Sequence, residues 1–279
     1  MSRRPNPALR YLTVVGLGTI VASAAAGPAP APGFYSVGSD SVIHYPSQGG
    51  NGTHVAHFAQ PHRGHYAAAF APDGTFYTIG GTGSFRYTLA RVSPVTGDWA
   101  RIGDTGFHET WGLAIDAAGN AFATQSTAPF TLYSVNLNTA AATPRATQVQ
   151  LGGNGVLGLT FTASGRLWGV VGQPFPSTAS TLVEIDTFSG DITPIRAVTG
   201  TPGYLIGIAF NKQGQLFGSV SDPSFGTVKL VSIDLETGAA TLVGEPQPQA
   251  DARALAFYVP EPTTGWLALA VLIVGMRRR

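Results

Sequence analysis

The 279-residue sequence contains no cysteine. Disulfide bonding, thiolate catalysis and cysteine-ligated zinc are therefore excluded. Charge is scarce as well. Asp, Glu, Lys and Arg make up 11% of the chain, against about 25% in ordinary soluble proteins. The net charge is only +1, and much of the positive charge sits at the two ends. That leaves no basic surface of the kind nucleic acid requires. There is no G-x-S-x-G elbow, no phosphate-binding loop and no H-E-x-x-H pair. The 15 acidic residues are scattered, mostly in turn contexts. Asp186 and Asp234 even recur at equivalent places, as structural residues do.

What the sequence does hold is turn formers and apolar residues: 36 Gly, 20 Pro and a hydrophobic fraction of 44%. Together with few charges, this points to a β-rich, tightly turned fold.

Its middle repeats. HYAAAFAPDGTFYTIG, TWGLAIDAAGNAFATQ, VLGLTFTASGRLWGVV, LIGIAFNKQGQLFGSV and RALAFYVPEP align on Phe70, Ile115, Phe161, Phe210 and Phe257, with spacings of 45, 46, 49 and 47 residues. A second series, LARVSPVTGDWARIG, LYSVNLNTAAATPRA, LVEIDTFSGDITPI and LVSIDLETGAATLVG, follows the first four. Each unit supplies four short strands with turns between them, which is the make-up of a propeller blade. The first strand alternates small and large residues, as in Gly112-Leu113-Ala114-Ile115, which suits a strand crowded near a central axis.

Four units are complete, starting near Tyr66, Trp111, Val156 and Leu205. Residues 34–60 supply three more strands but no innermost one, and Arg253 to Tyr258 supplies only an innermost one. The expectation is an all-β, five-bladed β-propeller of four-stranded blades, closed by pairing the N- and C-terminal strands in one blade. The unit pattern L-x-x-I-D-x-x-T-G-x-x-T-x-I-G followed by G-I-A-F-x-x-x-G-x-L-F-G resembles secreted bacterial propellers of the NHL/YVTN type. That broad resemblance covers binding modules, scaffolds and some enzymes.

Both ends look like addresses. Arg3, Arg4 and Arg10 precede an apolar stretch from Tyr11 to Ala22 and then A-x-A sites, which fits a secretory signal over residues 1–26. A Pro/Ala spacer, 27–32, leads into the domain at 33–259. The segment 260–279 completes the ending VPEPTTGWLALAVLIVGMRRR. Its apolar run from Gly265 to Met276 is 12 residues long, short of the roughly 20 that a spanning helix needs. Val259, Pro260, Glu261 and Pro262, the apolar run, and then Arg277, Arg278 and Arg279 resemble the PEP-CTERM sorting signal of Gram-negative bacteria. The resemblance implies an exosortase and a signal peptidase as processing partners and a transient stay in the inner membrane. It also implies delivery to the cell surface or an exopolysaccharide matrix.

On the domain itself, the loops from fourth strand to first and from second to third share one face. Phe85, Phe130, Phe175 and Phe225 recur on that face, with Trp111 and Glu109 nearby. They either form an aromatic rim that stacks on sugars or binds an apolar partner, or they plug the gaps between blades, and their regular recurrence favours the plug. Histidines cluster at His54, His57, His62 and His65, with His108 one repeat later. Strand alternation sends His54 and His57 to opposite faces. His62, His65 and His108 are the better-placed metal candidates.

The expected function is a non-enzymatic binding or scaffold propeller for glycan or protein partners, with no cofactor and no nucleic acid. The alternative is an extracellular hydrolase or lyase using His62, His65, His108 and Glu109, with or without a divalent metal.

Overall fold

The computed structural model describes residues 29–38, 41–58, 63–82, 86–106, 110–125, 130–148, 155–172, 179–221, 227–247 and 252–259. The strands fall in chain order into blades. The first three are β1 (Gly33–Gly38), β2 (Ser41–Tyr45) and β3 (Gly52–His57). Blade one is β4 (Arg63–Phe70), β5 (Phe76–Thr82), β6 (Arg86–Val92) and β7 (Trp99–Asp104). Blade two is β8 (Thr110–Ile115), β9 (Ala121–Gln125), β10 (Phe130–Val135) and β11 (Ala142–Gln148). Blade three is β12 (Val156–Phe161), β13 (Leu167–Gly172), β14 (Ser180–Ile185) and β15 (Ile192–Val198). Blade four is β16 (Tyr204–Phe210), β17 (Leu216–Ser221), β18 (Val228–Ile233) and β19 (Ala240–Gly244). β20 (Pro246–Gln247) and β21 (Ala252–Tyr258) end the chain's strands.

Blades one to four are four-stranded antiparallel sheets, and the fifth sheet runs β20-β3-β2-β1-β21. The fold is therefore a five-bladed β-propeller, closed as the repeat arithmetic requires. β21 pairs with β1 from Gly33↔Tyr258 to Gly38↔Ala252. The short β20 was not expected. It runs parallel to β3, with Pro246 opposite Gly52 and Gln247 opposite Thr53. Proline has no N–H to offer, so this segment covers the outer edge of β3 without inviting a further strand.

Turn chemistry sets the strand spacing. Each first turn of a complete blade closes on a glycine with positive φ: Gly74 (81°), Gly119 (85°), Gly165 (81°) and Gly214 (77°). This is the left-handed position of a three-residue hairpin loop. The turn between third and fourth strands needs the same geometry at Gly97, Gly190 and Gly238, but blade two places Ala140 there at φ 63°. Ala140 is fully buried. A Cβ on the neighbouring blade's Gly103 would lie 3.2 Å from the Ala140 Cβ and 2.9 Å from the Thr139 carbonyl oxygen. The space left open at Gly103 takes the methyl that the turn carries.

In these turns a side chain at the first position gathers the backbone N–H groups. Asp186 accepts from Phe188 and Ser189 at 2.8 and 2.7 Å, and Asp234 accepts from Glu236 and Thr237 at 3.0 and 2.6 Å. The Ser189 N–H at Asp186, and at Asp234 first the Thr237 hydroxyl, which donates at 2.7 Å, and then the Thr237 N–H, hold both carboxyls below the usual 3.8. A depressed folded-state pKa contributes stability that is complete above the ordinary value and is lost as pH falls through the native one. Asn136 does the same work in blade two without titrating. Asp186→Asn with Asp234→Asn should therefore flatten the acid limb of a Tm-against-pH curve and leave Tm at neutral pH nearly unchanged. A limb as steep as that of the parent would assign the acid loss to other carboxyls.

The core is divided rather than continuous. Apolar clusters lie between blades one and two around Ile79, Leu89 and Leu113, and between the closing blade and blade one around Tyr35, Val42 and Phe76. Others hold blades two and three through Leu132 and Leu167, and three and four through Leu182 and Leu205. A last one joins blade four to the closing blade through Phe34, Tyr45 and Phe217. Each sheet is thus buried on both faces, and stability depends on every neighbour being present.

Candidate functional site

The five innermost strands surround the axis, and the residue four places before the shared apolar position starts each wall of the channel. Those residues are Tyr66, Trp111, Leu157, Ile206 and Arg253. Three of them meet. The Tyr66 and Trp111 rings lie 5.2 Å apart. The Arg253 guanidinium lies 5.3 Å from the Tyr66 ring centre and 5.8 Å from that of Trp111. Tyr87, 6.1 Å from Tyr66, extends the aromatic group outward.

The neighbouring blade fixes the strand that carries Arg253, through the Ser219 hydroxyl and the Gly207 backbone. Ser219 donates to its carbonyl at 2.7 Å, and a Cβ on Gly207 would lie 3.1 Å from the same oxygen. Below the cluster the channel narrows to about 10 Å³ beside Trp111, Leu159 and Leu255, then widens to a cavity of about 170 Å³ lined by Phe70, Phe161, Phe210 and Phe257. Among the described residues, the inner strands thus leave little free space directly beneath the cluster.

At this mouth the chain presents two aromatic faces and a cation held against them. Guanidinium on an aromatic pair is an attractive arrangement. Such a group can stack on the apolar face of a ring and donate forked hydrogen bonds to hydroxyls, carbonyls or carboxylates.

The sequence pointed to Trp111 but missed Tyr66 and Arg253. The available signal was the aligned repeat: a column otherwise filled by Leu157 and Ile206 holds two aromatics and a cation. Phe130 is 7% exposed and packs in the cluster between blades two and three with Phe122, Leu132 and Val156. Its ring fills the gap between those two blades. Phe85, Phe175, Phe225, Glu109, His62 and His108 lie outside the described residues. His65 is on β4 opposite Gly80, with its side chain outside the described set. Val259, exposed at 41%, follows β21 directly, and Pro260, Glu261, Pro262, Arg277, Arg278 and Arg279 lie outside the described residues.

His54 and His57 correct the alternation argument. Ile43 pairs with His54 and Val42 with Ala56, so Val55 is the extra residue of a β-bulge. The bulge restores both histidines to one side, where their rings stack at 5.5 Å. Among the described residues no group of three or more His, Asp or Glu is placed to hold a metal ion.

The chain leaves the domain on the face opposite the mouth. Gly33 pairs with Tyr258, and Tyr258 lies 4.9 Å from Phe70, where blade one turns. Tyr35 donates to the Ala31 carbonyl at 2.9 Å, and His44 Nε2 lies 3.1 Å from that of Pro32, so the end of the spacer is docked there. Burial raises the Tyr35 phenol to about 12.

No family model matches the sequence, and no curated protein sequence does. Solved structures do resemble the fold. A chain from the nidogen/laminin complex superposes with a TM-score of 0.55 at 12% identity, over 82% of this chain and 99% of its own. A GH43 glycoside hydrolase, engineered to display endo-xylanase and exo-arabinofuranosidase activity, superposes with a TM-score of 0.51 at 14% identity, over 84% of this chain and 56% of its own. At such identities the likeness is one of fold. The neighbours range from a member of a protein complex to a hydrolase, and the fold alone does not choose between them.

Proposed function

We propose that the protein is an exported surface or matrix protein, cut by an exosortase at the Pro260-Glu261-Pro262 signal, whose propeller binds a glycan or protein partner without catalysis. The observation that carries the reading is the packing of Tyr66, Trp111 and Arg253 at the channel mouth. Aromatic planes and a guanidinium are the side chains that dominate recognition surfaces. The mouth also lies on the face away from the strands where the chain enters and leaves the domain, so the processed end does not crowd it.

The test is retention of the exported protein on the producer's own matrix fractions. Trp111→Ala should lower retention about tenfold or more, with thermal unfolding close to that of the parent. Equal retention by parent and variant would remove the mouth from the reading. Intact mass addresses the export half. The mature protein should lack the first 24–26 residues and everything beyond about Pro262, whereas a mass that keeps Trp266 to Arg279 would mean a membrane-tethered form.

A further inference from the structure

The turn face, opposite the mouth, carries a cleft of about 790 Å³ beneath blade two, walled by turns of blades one, two and three. That size lies within the roughly 300–1,000 Å³ of small-ligand sites. Phe188 stands at its rim, 87% exposed, far above the next large apolar side chain among the described residues, Leu242 at 47%. The fold does not ask for this ring. The same turn position holds Val95, Asn138 and Glu236 in the other complete blades. The turn is nonetheless held firmly, because Asp186 accepts the N–H groups of Phe188 and Ser189.

The lining of the same cleft also includes planar polar groups: Asn138, Arg145 and Asp73. Asn136 takes up the Asn138 backbone N–H at 2.9 Å, whereas the Asn138 side-chain amide has no hydrogen bond among the described residues. Arg145 has no ion pair among them either. Asp73 uses Oδ1 on its own turn, accepting from Thr75 at 2.9 Å.

From this placement we infer that the cleft is a second binding site and that its ligand is a carbohydrate chain. The lining mixes polar and apolar residues, and among the described residues Phe188 is its one exposed large apolar side chain, which suits a ligand with an apolar C–H face and hydroxyls around its edge. The pyranose face stacks on Phe188, while amide, guanidinium and carboxylate exchange paired hydrogen bonds with neighbouring hydroxyls. A protein partner would instead call for several clustered apolar anchors. The choice of sugar as ligand leans on the matrix setting proposed above, but the site shares no residue with the mouth.

The test titrates the purified exported protein with short oligosaccharides cut from the producer's exopolysaccharide, and with cello-oligosaccharides, by calorimetry. Phe188→Ala, at an exposed turn position, should keep the parent's Tm and weaken binding about tenfold. Arg145→Gln should weaken it by a similar factor, and Trp111→Ala should leave this binding phase unchanged. Binding that is lost in Trp111→Ala but untouched by Phe188→Ala and Arg145→Gln would overturn the second site while supporting the mouth. No binding of either oligosaccharide by the parent would overturn it as well.

Discussion

Gly158→Ala should lower stability by about 3 kcal/mol and Tm by about 6–12 °C, although it adds a single methyl to an ordinary strand. The Cβ would lie 2.8 Å from Gly207 Cα and 2.8 Å from Ile208 N, both backbone atoms of the next blade's innermost strand. Backbone has no rotamer into which to retreat, so the two blades have to separate. Gly207 repeats the situation one blade on, where its Cβ would meet Leu255 N at 3.0 Å. Gly165→Ala is the control. Its φ is 81° and nothing lies within 4 Å of the added methyl, so only the conformational cost of about 1 kcal/mol remains. Thermal unfolding of both variants decides the matter. Equal losses would mean that contact between inner strands does not limit how closely the blades approach.

These same glycines show what was legible beforehand. The small residue three places before the shared apolar position is Ala67, Gly112, Gly158, Gly207 or Ala254. Its recurrence marked the innermost strands, and with them the blade count and the closure. A repeat fold writes its architecture several times over, so one imperfect copy does not hide it. Blade two still reads as a blade although its turn carries Ala140 in place of glycine.

The site was harder to see because it is written once. Tyr66, Trp111 and Arg253 lie far apart in sequence, and only ring closure brings Arg253 beside the other two. Phe188 was equally unreadable, since a turn residue's exposure depends on which neighbouring blade fails to cover it. The stacked His54–His57 pair needed knowledge of a bulge, which follows from pairing with β2 and not from the alternation of β3 alone.

Ending the chain at residue 251 should abolish cooperative unfolding, whereas ending it at Val259 should leave Tm unchanged within error. The strand lost in the first case is the innermost member of the closing blade. Ala254, Leu255, Ala256 and Tyr258 in it are all buried, at 3–8% exposure. Without it, β1 presents an open edge along Phe34–Val37, and a ring joined through five interblade clusters is left open between blade four and blade one. The Phe34 ring shows how tightly the closure is packed. It is fully buried, 4.5 Å from Phe217 and 4.7 Å from Phe257, so Phe34→Ala alone should cost about 3–5 kcal/mol. The shorter chain loses the Phe257 half of that packing and Arg253 as well, so matrix retention at the mouth should disappear together with near-UV circular dichroism. Retention that survives without β21 would show that the mouth does not require a closed ring. The boundary also constrains any protease that removes the tail. Tyr258 is paired with Gly33 and 8% exposed, and Val259 beside it is 41% exposed, so a cut beyond Val259 leaves the propeller closed.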